Sequence, residues 1–448
     1  MRLFAPVLTL LLLFAANLTA AEADSGSEVP NGKRLRVIVT TDGEIDDRCS
    51  MIRFLLYTNE WDVEGLIHSS SKFHWIGDEN HHRHDWEPVS WLDRQLDAYA
   101  ACYDKLKQHD ANFPTADYLR SRVFVGNIAY EGEMDAETPG SDHIVDILLE
   151  EDPTEVWLQA WGGSNTIARA LKTIKEKHPE RVADVVAKAR LYLIAEQDNT
   201  LRKYILPEWP ELQVLLSDWE SFGAIAYGWS KYQTKESKPY FKQEWMTSHI
   251  LKDHGPLNSM YEHKENRFRS EGDSPAFLHI VPNGLRSHEH PGFGGWGGRF
   301  IRESEFWITE DKKESNPHSI VRWSIDLQQD WVARADWCVK NYDDANHPPK
   351  VNLSTTTALT AKTGEELKLD VSGSTDSDGD QLAFDWFYHR EASQSQTAAS
   401  VENADSAKAS VTIPREAVSR DTLHFVCRVS DDGQPALTRY ARVIVTVE

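Results

Sequence analysis

The chain has 448 residues, enough for about two or three domains of ordinary size. Lys and Arg number 48 and Asp and Glu number 71, so the formal net charge at pH 7 is −23. A surface this acidic repels phosphate backbones and anionic lipid, which argues against nucleic-acid polymers and membrane surfaces as partners. The hydrophobic fraction of 40% is enough for ordinary cores and excludes a chain that is disordered throughout.

Residues 1–23 have the pattern of a secretory signal peptide. Arg2 supplies a short positive region, an apolar run follows over residues 3–18, and small side chains typical of a cleavage site come next. A membrane anchor is the alternative, but it needs about 20 apolar residues. Residues 24–33 are polar and are predicted to be a linker. We therefore expect a mature protein that is secreted or periplasmic.

Residues 34–344 alternate apolar, strand-like runs with segments of helical periodicity. Strands are predicted at 35–39, 61–69, 123–125, 156–158, 191–195 and 213–217, and helices at 45–56, 91–108, 143–150 and 166–177. This alternation predicts an α/β domain with a mostly parallel sheet and helices on both faces. Ligands of such sheets bind at the carboxyl ends of the strands. Residues 231–316 are irregular and rich in His, Gly, Trp and charge, which is typical of functional loops.

The pattern changes after a second linker at residues 345–350. Apolar and polar residues alternate near 367–371, 423–429 and 443–445, and turn signals lie between them. Residues 351–448 are therefore predicted to form an immunoglobulin-like all-β sandwich. Within it, residues 370–386 resemble the signature of PKD-type modules. The acidic turn at Asp376, Asp378 and Asp380 is either a solvated turn or a structural Ca²⁺ site.

Three aspartates follow the first predicted strand in quick succession. Asp42 is placed at the carboxyl end of the strand, and Asp46 and Asp47 at the start of the next helix. Helix capping explains one or two of them, because Asp is favoured at helix N-termini. It does not explain Asp42, or the absence of any neutralising side chain before Arg48. Clustered carboxylates select a hard cation such as Ca²⁺ over zinc, and so this segment predicts a cation site.

The same segment resembles that of nucleoside hydrolases, in which a strand leads into an Asp-x-Asp-x-x-x-Asp-Asp run that holds Ca²⁺ in the active site. Thr40 replaces the first Asp of the run, and the other three positions match. The resemblance implies that Asp42 binds the ion and activates its water. It also implies that Asp46 contacts sugar hydroxyls and that Asp47 is a Ca²⁺ ligand.

Two further segments extend the resemblance. Residues 162–168 are similar to the family's Gly-Pro-Leu-Thr-Asn-Ile-Ala, which implies that the Ser164 carbonyl reaches the ion and that Asn165 lies beside the sugar. Asp273 matches the family's last Ca²⁺ ligand. The family usually carries His before that Asp, where this chain has Gly272. This departure weakens the expectation that a purine leaving group is protonated in the family's usual way.

A closer resemblance is to a secreted bacterial family described as cellulose-binding, with a nucleoside-hydrolase-like domain and a C-terminal immunoglobulin-like domain. It is carried by residues 46–54, 161–166 and 291–299. In the glycine-rich third segment, Trp296 could stack on a sugar and Arg299 could hydrogen-bond its hydroxyls or a carboxylate. The alternative is a tight turn over the core.

The acid that protonates the leaving group is not assigned by the sequence. The candidates are the His and Glu residues of the irregular stretch, namely His254, His263, His279, His288, His290, Glu271 and Glu289. A separate run, residues 81–84, holds three histidines. It is either a solvated loop near the site entrance or a transition-metal site.

Two hypotheses from different classes follow. The first is a Ca²⁺-dependent hydrolase of N- or O-glycosidic bonds that acts on a nucleoside or a plant-type carbohydrate. The second is a non-catalytic cellulose- or polysaccharide-binding protein on the same scaffold. The retained Asp42, Asp46, Asp47 and Asp273 favour an enzyme, whereas Gly272 and the 16 tryptophans of the chain favour a binding protein.

Overall fold

The structure is a computed structural model, and it describes residues 34–262, 271–311, 318–395 and 397–448. The predicted signal peptide and first linker, residues 1–33, lie outside the described residues. Within the described ranges, no helix combines the length and the apolar character needed to cross a bilayer.

Eight strands of the first part of the chain form one sheet. They are β1 (Arg36–Thr41), β2 (Asp62–His68), β3 (Val123–Val125), β4 (Val156–Ala160), β5 (Ala189–Ile194), β6 (Gln213–Ser217), β7 (Phe300–Glu303) and β8 (Phe306–Thr309). Their order across the sheet is β3-β2-β1-β4-β5-β6-β8-β7. Every neighbouring pair is parallel except β7 and β8, which form an antiparallel hairpin.

Helices cover both faces of this sheet. They are α1 (Ile45–Leu55), α2 (Ser90–His109), α3 (Ala116–Ser121), α4 (Pro139–Leu149), α5 (Asn165–Lys177), α6 (Val182–Lys188), α7 (Leu206–Glu208), α8 (Trp219–Phe222), α9 (Trp229–Tyr232), α10 (Gln243–Met246), α11 (Gly255–Ser259), α12 (Ser274–Leu278) and α13 (Ser324–Trp337). Alternate residues of β1 enter opposite cores, as the pleat of a strand requires. Val37 and Val39 pack with α1, α2 and α13, while Ile38 packs with α4 and α5.

The strand order reverses between β1 and β4. From β1 the chain builds outward through β2 to β3, and it then returns to place β4 on the other side of β1. In doubly wound sheets, the crevice outside the carboxyl ends of two such strands is where ligands bind. The segments that follow β1 and β4 therefore meet at the position where this fold most often builds a site.

The last part of the chain is all-β. Its strands are β9 (Ala358–Ala361), β10 (Glu366–Asp370), β11 (Ala383–Tyr388), β12 (Val401–Glu402), β13 (Lys408–Thr412), β14 (Thr422–Ser430) and β15 (Thr438–Val447). They form a sheet in the order β10-β13-β12 and another in the order β11-β14-β15-β9, and only the β9–β15 pair is parallel. Leu369 and Val411 of the first sheet share one core with Trp386, Phe425 and Val443 of the second.

The acidic turn of this all-β part is held by its own first side chain. Asp376 Oδ1 accepts hydrogen bonds from the backbone N–H groups of Asp378, Gly379 and Asp380, at 2.8, 3.1 and 3.2 Å. The Asp378 carboxylate instead accepts from the backbone N–H of His347 at 2.7 Å. These bonds support the solvated turn, since they use the carboxylates to fix the local backbone.

Buried polar contacts join the all-β part to the first part of the chain. Arg442 donates to the backbone oxygens of Leu285 and Gly294, at 2.7 and 3.1 Å. Arg439 donates to Asp330 of α13 at 2.8 Å. The relative placement of the two parts therefore depends on satisfying buried charges as well as on apolar packing.

The predicted α/β fold followed by an all-β region is confirmed. Every predicted strand of the first part is present, and the predicted helices correspond to α1, α2, α4 and α5. The prediction that residues 231–316 are irregular was wrong in part, because they contain β7 and β8. These strands are short and their hairpin lies at the sheet edge, so their sequence lacks the long apolar run of a central strand.

Candidate active site

A tight turn carries the chain from β1 into α1. Gly43 within it has φ +76°, in the left-handed region that glycine tolerates best. A β-carbon there would also lie 2.7 Å from Nε1 of Trp91. The turn places Asp42 at the end of the strand and both Asp46 and Asp47 in the first turn of the helix.

In Asp42 and Asp47, hydrogen bonds hold one of the two carboxylate oxygens in place. Asp47 Oδ1 accepts from the hydroxyl of Thr41 and from the backbone N–H of Asp42, the latter at 3.2 Å. Asp42 Oδ1 accepts from the backbone N–H of Glu44 at 3.1 Å. By contrast, Asp42 Oδ2 is buried and has no hydrogen-bond partner among the described residues. Each carboxylate is thus oriented by one oxygen and keeps the other for a ligand.

Asp273 joins the cluster from a distant part of the sequence, immediately before α12. It offers an oxygen that lies within 4.8 Å of oxygens from Asp46 and Asp47. Its Oδ2 is also buried and without a hydrogen-bond partner in the part of the chain that is described. The four aspartates, Asp42, Asp46, Asp47 and Asp273, are called the carboxylate cluster below.

The carboxylate cluster is buried and strongly acidic. Asp42 and Asp273 are each 1% exposed, Asp47 is 2% exposed and Asp46 is 9% exposed. Burial raises the pKa of all four, and repulsion between neighbouring carboxylates raises it further for Asp46, Asp47 and Asp273. For Asp46 the pKa rises to about 8. The nearest basic residue in the sequence, Arg48, forms its ion pair with Glu262 instead.

These residues fit a divalent cation. Buried carboxylates close together are unfavourable unless an opposite charge neutralises them. None of the ion pairs between described residues joins a Lys or Arg to the carboxylate cluster. The donor atoms are carboxylate oxygens, and two of them have no hydrogen-bond partner among the described residues. A hard cation prefers this kind of ligand set.

His74 is a member of the site that the sequence analysis missed. Its Nε2 lies 3.4 Å from Oε2 of Glu44, and its Nδ1 lies 2.6 Å from the backbone oxygen of Asp85. Atoms of Asp42, Glu44 and His74 lie within 4.8 Å of one another. Burial lowers the pKa of His74, but the hydrogen bond to Glu44 and the charge of Asp42 raise it to about 9.

The position of His74 in the chain could have indicated that it belongs to the site. It follows β2, and the loops after parallel strands meet at the same edge of a sheet. The nearby run of histidines at 81–84 was the more conspicuous feature. His81 stacks on Tyr130 with ring centroids 4.0 Å apart, and His84 stacks on Trp75 at 4.5 Å. Within the described ranges neither joins a group of three possible metal ligands, which supports the loop interpretation.

The segment after β4 packs directly against Asp42. A β-carbon at Gly162 would lie 2.8 Å from the β-carbon of Asp42, so a larger residue would displace this aspartate. Ser164 is 1% exposed, and its backbone oxygen accepts the first hydrogen bond of α5, from Ala168 at 2.8 Å. A carbonyl oxygen has a second lone pair, so this bond leaves the Ser164 oxygen able to bind a cation.

Asn165 is placed inside the fold and presents no free polar atom. Its Nδ2 donates to the backbone oxygens of Asn127 and Glu133, at 2.9 and 2.8 Å, and to the Ser70 hydroxyl at 3.0 Å. Its Oδ1 accepts from the hydroxyl of Ser69 at 2.8 Å. The predicted contact between Asn165 and a sugar is therefore not available in this geometry. The side chain instead ties together the loops that surround the cluster.

The predictions that Trp296 and Arg299 bind a sugar were wrong. Trp296 is fully buried and its Nε1 donates to the Tyr440 hydroxyl at 3.3 Å, so it packs against the all-β part and cannot stack on a sugar. Arg299 pairs with Glu310 at 2.5 Å and donates to the backbone oxygen of Gly292 at 2.8 Å. Both side chains stabilise a tight turn over the core, which was the alternative.

The candidate acids of the irregular stretch are engaged elsewhere. His279 is enclosed by the rings of Trp157, Tyr192 and Phe300. Four others have local partners, in the pairs His254–Asp336, Glu289–Arg286, Glu271–Arg53 and His290–Gly292. His288 is half-buried, and the loss of solvent around its ring lowers its pKa. His263 lies outside the described residues.

Two exposed aromatic rings lie beside the mouth of the cluster. Trp219 is 40% exposed and Tyr227 is 50% exposed, and their planes are within 9° of parallel with centroids 6.4 Å apart. The Tyr227 hydroxyl lies 3.5 Å from Oε1 of Glu44. Exposed aromatic faces of this kind can stack on the apolar face of a sugar or on a base.

Two family models match the chain. Residues 36–300 match "Cellulose-binding Sde182, nucleoside hydrolase-like domain", and residues 366–447 match "Cellulose-binding protein Sde0182, C-terminal domain". Among solved structures, the chain is similar to a nucleoside hydrolase-related hypothetical protein from Saccharophagus degradans that is associated with carbohydrate metabolism. The two are 30% identical with a TM-score of 0.78, and the match covers 93% of this chain and 100% of that chain.

An inosine-guanosine nucleoside hydrolase also matches, at 13% identity and a TM-score of 0.33, over 68% of this chain and 99% of that chain. The PKD domain of the KIAA 1837 protein matches at 24% identity and a TM-score of 0.17, over 22% of this chain and 86% of that chain. No curated protein sequence matches significantly. On the first family model and the Saccharophagus degradans structure, the chain belongs to the Sde182 cellulose-binding family, which has a nucleoside hydrolase-like domain.

Proposed function

We propose that the chain is an exported, Ca²⁺-dependent hydrolase that cleaves a glycosidic bond in a carbohydrate or nucleoside at the carboxylate cluster. One observation carries this proposal. Four aspartates are buried together at the point where the strand order reverses, and two of their oxygens have no hydrogen-bond partner among the described residues. A merely structural role would not explain why four buried carboxyl groups lie together with no Lys or Arg paired to them among the described residues.

The residues that would hold Ca²⁺ are Asp42, Asp47, Asp273 and the backbone oxygen of Ser164. When bound, the ion would neutralise the cluster and lower the pKa of a water beside it. The hydrogen bonds on Oδ1 of Asp42 and Oδ1 of Asp47 set the orientation of both carboxylates beforehand. Such preorganisation avoids the cost of rearranging the ligands during the reaction.

Asp42 is the proposed general base. Its unpartnered Oδ2 would accept a proton from water, while Oδ1, which the backbone N–H of Glu44 orients, keeps a second lone pair for the ion. Attack of that water at an anomeric carbon passes through a state with oxocarbenium character, which the surrounding carboxylates would stabilise. Asp46 is the most exposed of the four aspartates, and this suits it to bind sugar hydroxyls.

His74 is the proposed proton donor to the leaving group. Among the described histidines it is the one grouped with a member of the carboxylate cluster, and the backbone oxygen of Asp85 fixes its ring at Nδ1. Its Nε2 faces Glu44, whose side chain is 32% exposed, so the proton would be delivered at the mouth of the site. Trp219 and Tyr227 lie at the same mouth, where they would contact the leaving group.

The test is a hydrolysis screen with nucleosides, aryl glycosides and plant oligosaccharides, run with Ca²⁺ and with a chelator. We expect one class of product, released only with Ca²⁺, and a loss of about 10³-fold or more in kcat for Asp42→Asn, which removes the general base. The matched control is Asp376→Asn, in the distant acidic turn. Product release that survives in Asp42→Asn would contradict the proposal.

A second candidate function is polysaccharide binding without hydrolysis. The glycine at position 272 favours it, because the resemblance to nucleoside hydrolases implies a histidine there. The family's printed name, cellulose-binding, favours it as well. Retention on cellulose, with no product released from any substrate of the screen, would select this second function.

A further inference from the structure

A large open cavity shares none of its lining residues with the carboxylate cluster. Its volume is about 630 Å³, within the ordinary range for a small-molecule site. Its walls come from the short helices near residues 236–254, from α13, and from the loop at residues 434–435 of the all-β part. The cavity, called the junction cleft here, is therefore formed mainly by the first part of the chain and completed by the all-β part.

One wall of the junction cleft is aromatic. The rings of Tyr240 and Trp245 have centroids 5.5 Å apart and are inclined at 57°, so they form a bent wall and not a flat one. The imidazole of His249 stacks on Trp245 at 5.0 Å and 14°. Tyr240 and Trp245 are both partly buried against the main core, which holds the wall rigid. Rigid aromatic rings bind a ligand at a low cost in conformational entropy.

The lining of the junction cleft also carries polar groups. Gln329 and Gln434 offer amide groups that can both donate and accept hydrogen bonds, and Glu236 offers an exposed carboxylate. Asp336 is 6% exposed and is held by His254 at 3.2 Å and Lys340 at 3.0 Å. Burial raises the pKa of Asp336, but its two partners lower the pKa by more, so the net pKa is below its usual value. This carboxylate is therefore held in place as a hydrogen-bond acceptor.

We infer that the junction cleft is a saccharide-binding site, separate from the carboxylate cluster, and that its ligand is a neutral oligosaccharide. A sugar ring has an apolar face that suits the aromatic wall and a rim of hydroxyls that both donate and accept, as the amides and carboxylates do. An uronic acid polymer would be repelled by Glu236 and by the net charge of −23. Binding here needs neither a cation nor catalysis, and so goes beyond the proposed hydrolase.

The probe is cellohexaose, titrated calorimetrically into the full chain in the presence of a chelator, so that no cation occupies the carboxylate cluster. We expect saturable binding that weakens by about tenfold or more in Trp245→Ala and in Tyr240→Ala. Because these rings also touch the core, Glu236→Ala and Gln434→Ala provide variants at exposed positions. Each should weaken binding severalfold without changing Tm.

The matched control is Trp219→Ala, which removes a tryptophan at the mouth of the carboxylate cluster and should leave chelator-resistant binding unchanged. The inference is overturned if cellohexaose does not bind, or if binding survives in Trp245→Ala and is lost in Trp219→Ala. Tighter binding of oligogalacturonate than of cellohexaose would overturn the assignment of a neutral ligand. Failure of the hydrolysis screen leaves these outcomes untouched, since none of them measures turnover.

Discussion

A β-carbon at position 272 would lie 2.5 Å from Oδ2 of Asp46. Gly272 therefore gives this carboxylate the space that it occupies within the cluster. The resemblance to nucleoside hydrolases implies a histidine at this position, but no side chain fits there while Asp46 keeps its place. The position of the Asp46 carboxylate therefore depends on the glycine. The proton donor must be another residue, and His74 lies beside Asp42.

Gly272→Ala should displace the Asp46 carboxylate. Since Gly272 has no positive φ, the added methyl acts through this contact and not through backbone strain. We expect kcat/KM on a substrate found in the screen to fall about tenfold or more, while Tm changes by only a few degrees. The measurement is a double-mutant cycle with Asp46→Asn. If Asp46 carries the effect, the double variant should be no worse than Asp46→Asn alone, and simple additivity would refute the link.

Asp47→Asn and Asp273→Asn should each raise the stability of the cation-free protein. Replacing a carboxylate by an amide relieves repulsion within the buried cluster, and we expect Tm to rise by about 2–4 °C in chelator. The same variants should lose most of the Ca²⁺-induced rise in Tm that the unmodified chain shows, because ligand binding stabilises only a site that can bind. Differential scanning calorimetry with and without Ca²⁺ measures both effects.

The control for this experiment is Asp330→Asn, at a buried aspartate whose charge is compensated. It should lower Tm both with and without Ca²⁺ and leave the size of the Ca²⁺ shift unchanged. A drop in the cation-free Tm of Asp47→Asn would show that the cluster is not under repulsion.

The part of the site that could be predicted lies on one short stretch of chain. Asp42, Asp46 and Asp47 are neighbours in sequence, and the strand-turn-helix geometry brings them together whatever the rest of the fold does. Asp273 is different, because only the resemblance placed it in the cluster. His74 was missed since its contact with Glu44 depends on the path of a loop, which periodicity does not specify.

Trp296 shows why exposure is harder to predict than position. A tryptophan in a glycine-rich loop can stack on a ligand or fill a gap in a core, and the local sequence is the same in both cases. The outcome here was decided by Tyr440, which lies more than a hundred residues away and covers the ring from the all-β part. The docking of the two parts was not predicted, and so neither was the burial of Trp296.

Asp330 is a buried charge that links α13 to the all-β part. It accepts hydrogen bonds from Tyr57 at 2.7 Å and Arg334 at 2.9 Å in the first part of the chain, and from Arg439 of β15 at 2.8 Å. Burial raises the pKa of Asp330, but the two guanidinium groups lower it well below its usual range. Asp330→Asn should lower the free energy of unfolding by about 3 kcal/mol, since it removes a negative charge that pairs with both the buried Arg334 and Arg439.

Urea unfolding followed by tryptophan fluorescence measures this loss at pH 7. The comparison is Arg439→Met, which removes the contact from the all-β part and leaves Arg334 paired. It should cost less than Asp330→Asn but should separate the unfolding of the two parts into distinct transitions. A single unshifted transition in Arg439→Met would show that apolar packing alone holds the parts together.

His279 should make the stability of the chain fall between pH 7 and pH 5. Its ring is enclosed by Trp157, Tyr192 and Phe300, and neither ring nitrogen has a hydrogen-bond partner among the described residues. Burial, with a smaller contribution from His288, lowers the pKa of His279 to about 3. In the unfolded chain the pKa is about 6.5, so the unfolded state binds the proton more tightly and acid favours unfolding. The stabilisation is complete above about pH 6.5 and is lost progressively below it, by about 1–2 kcal/mol at pH 5.

His279→Leu keeps the apolar contacts and removes the titration, so its free energy of unfolding should change less between these pH values than that of the unmodified chain. Urea titrations at pH 7, 6 and 5 measure the difference, and parallel losses in both proteins would mean that His279 is protonated as easily in the folded state as in the unfolded one.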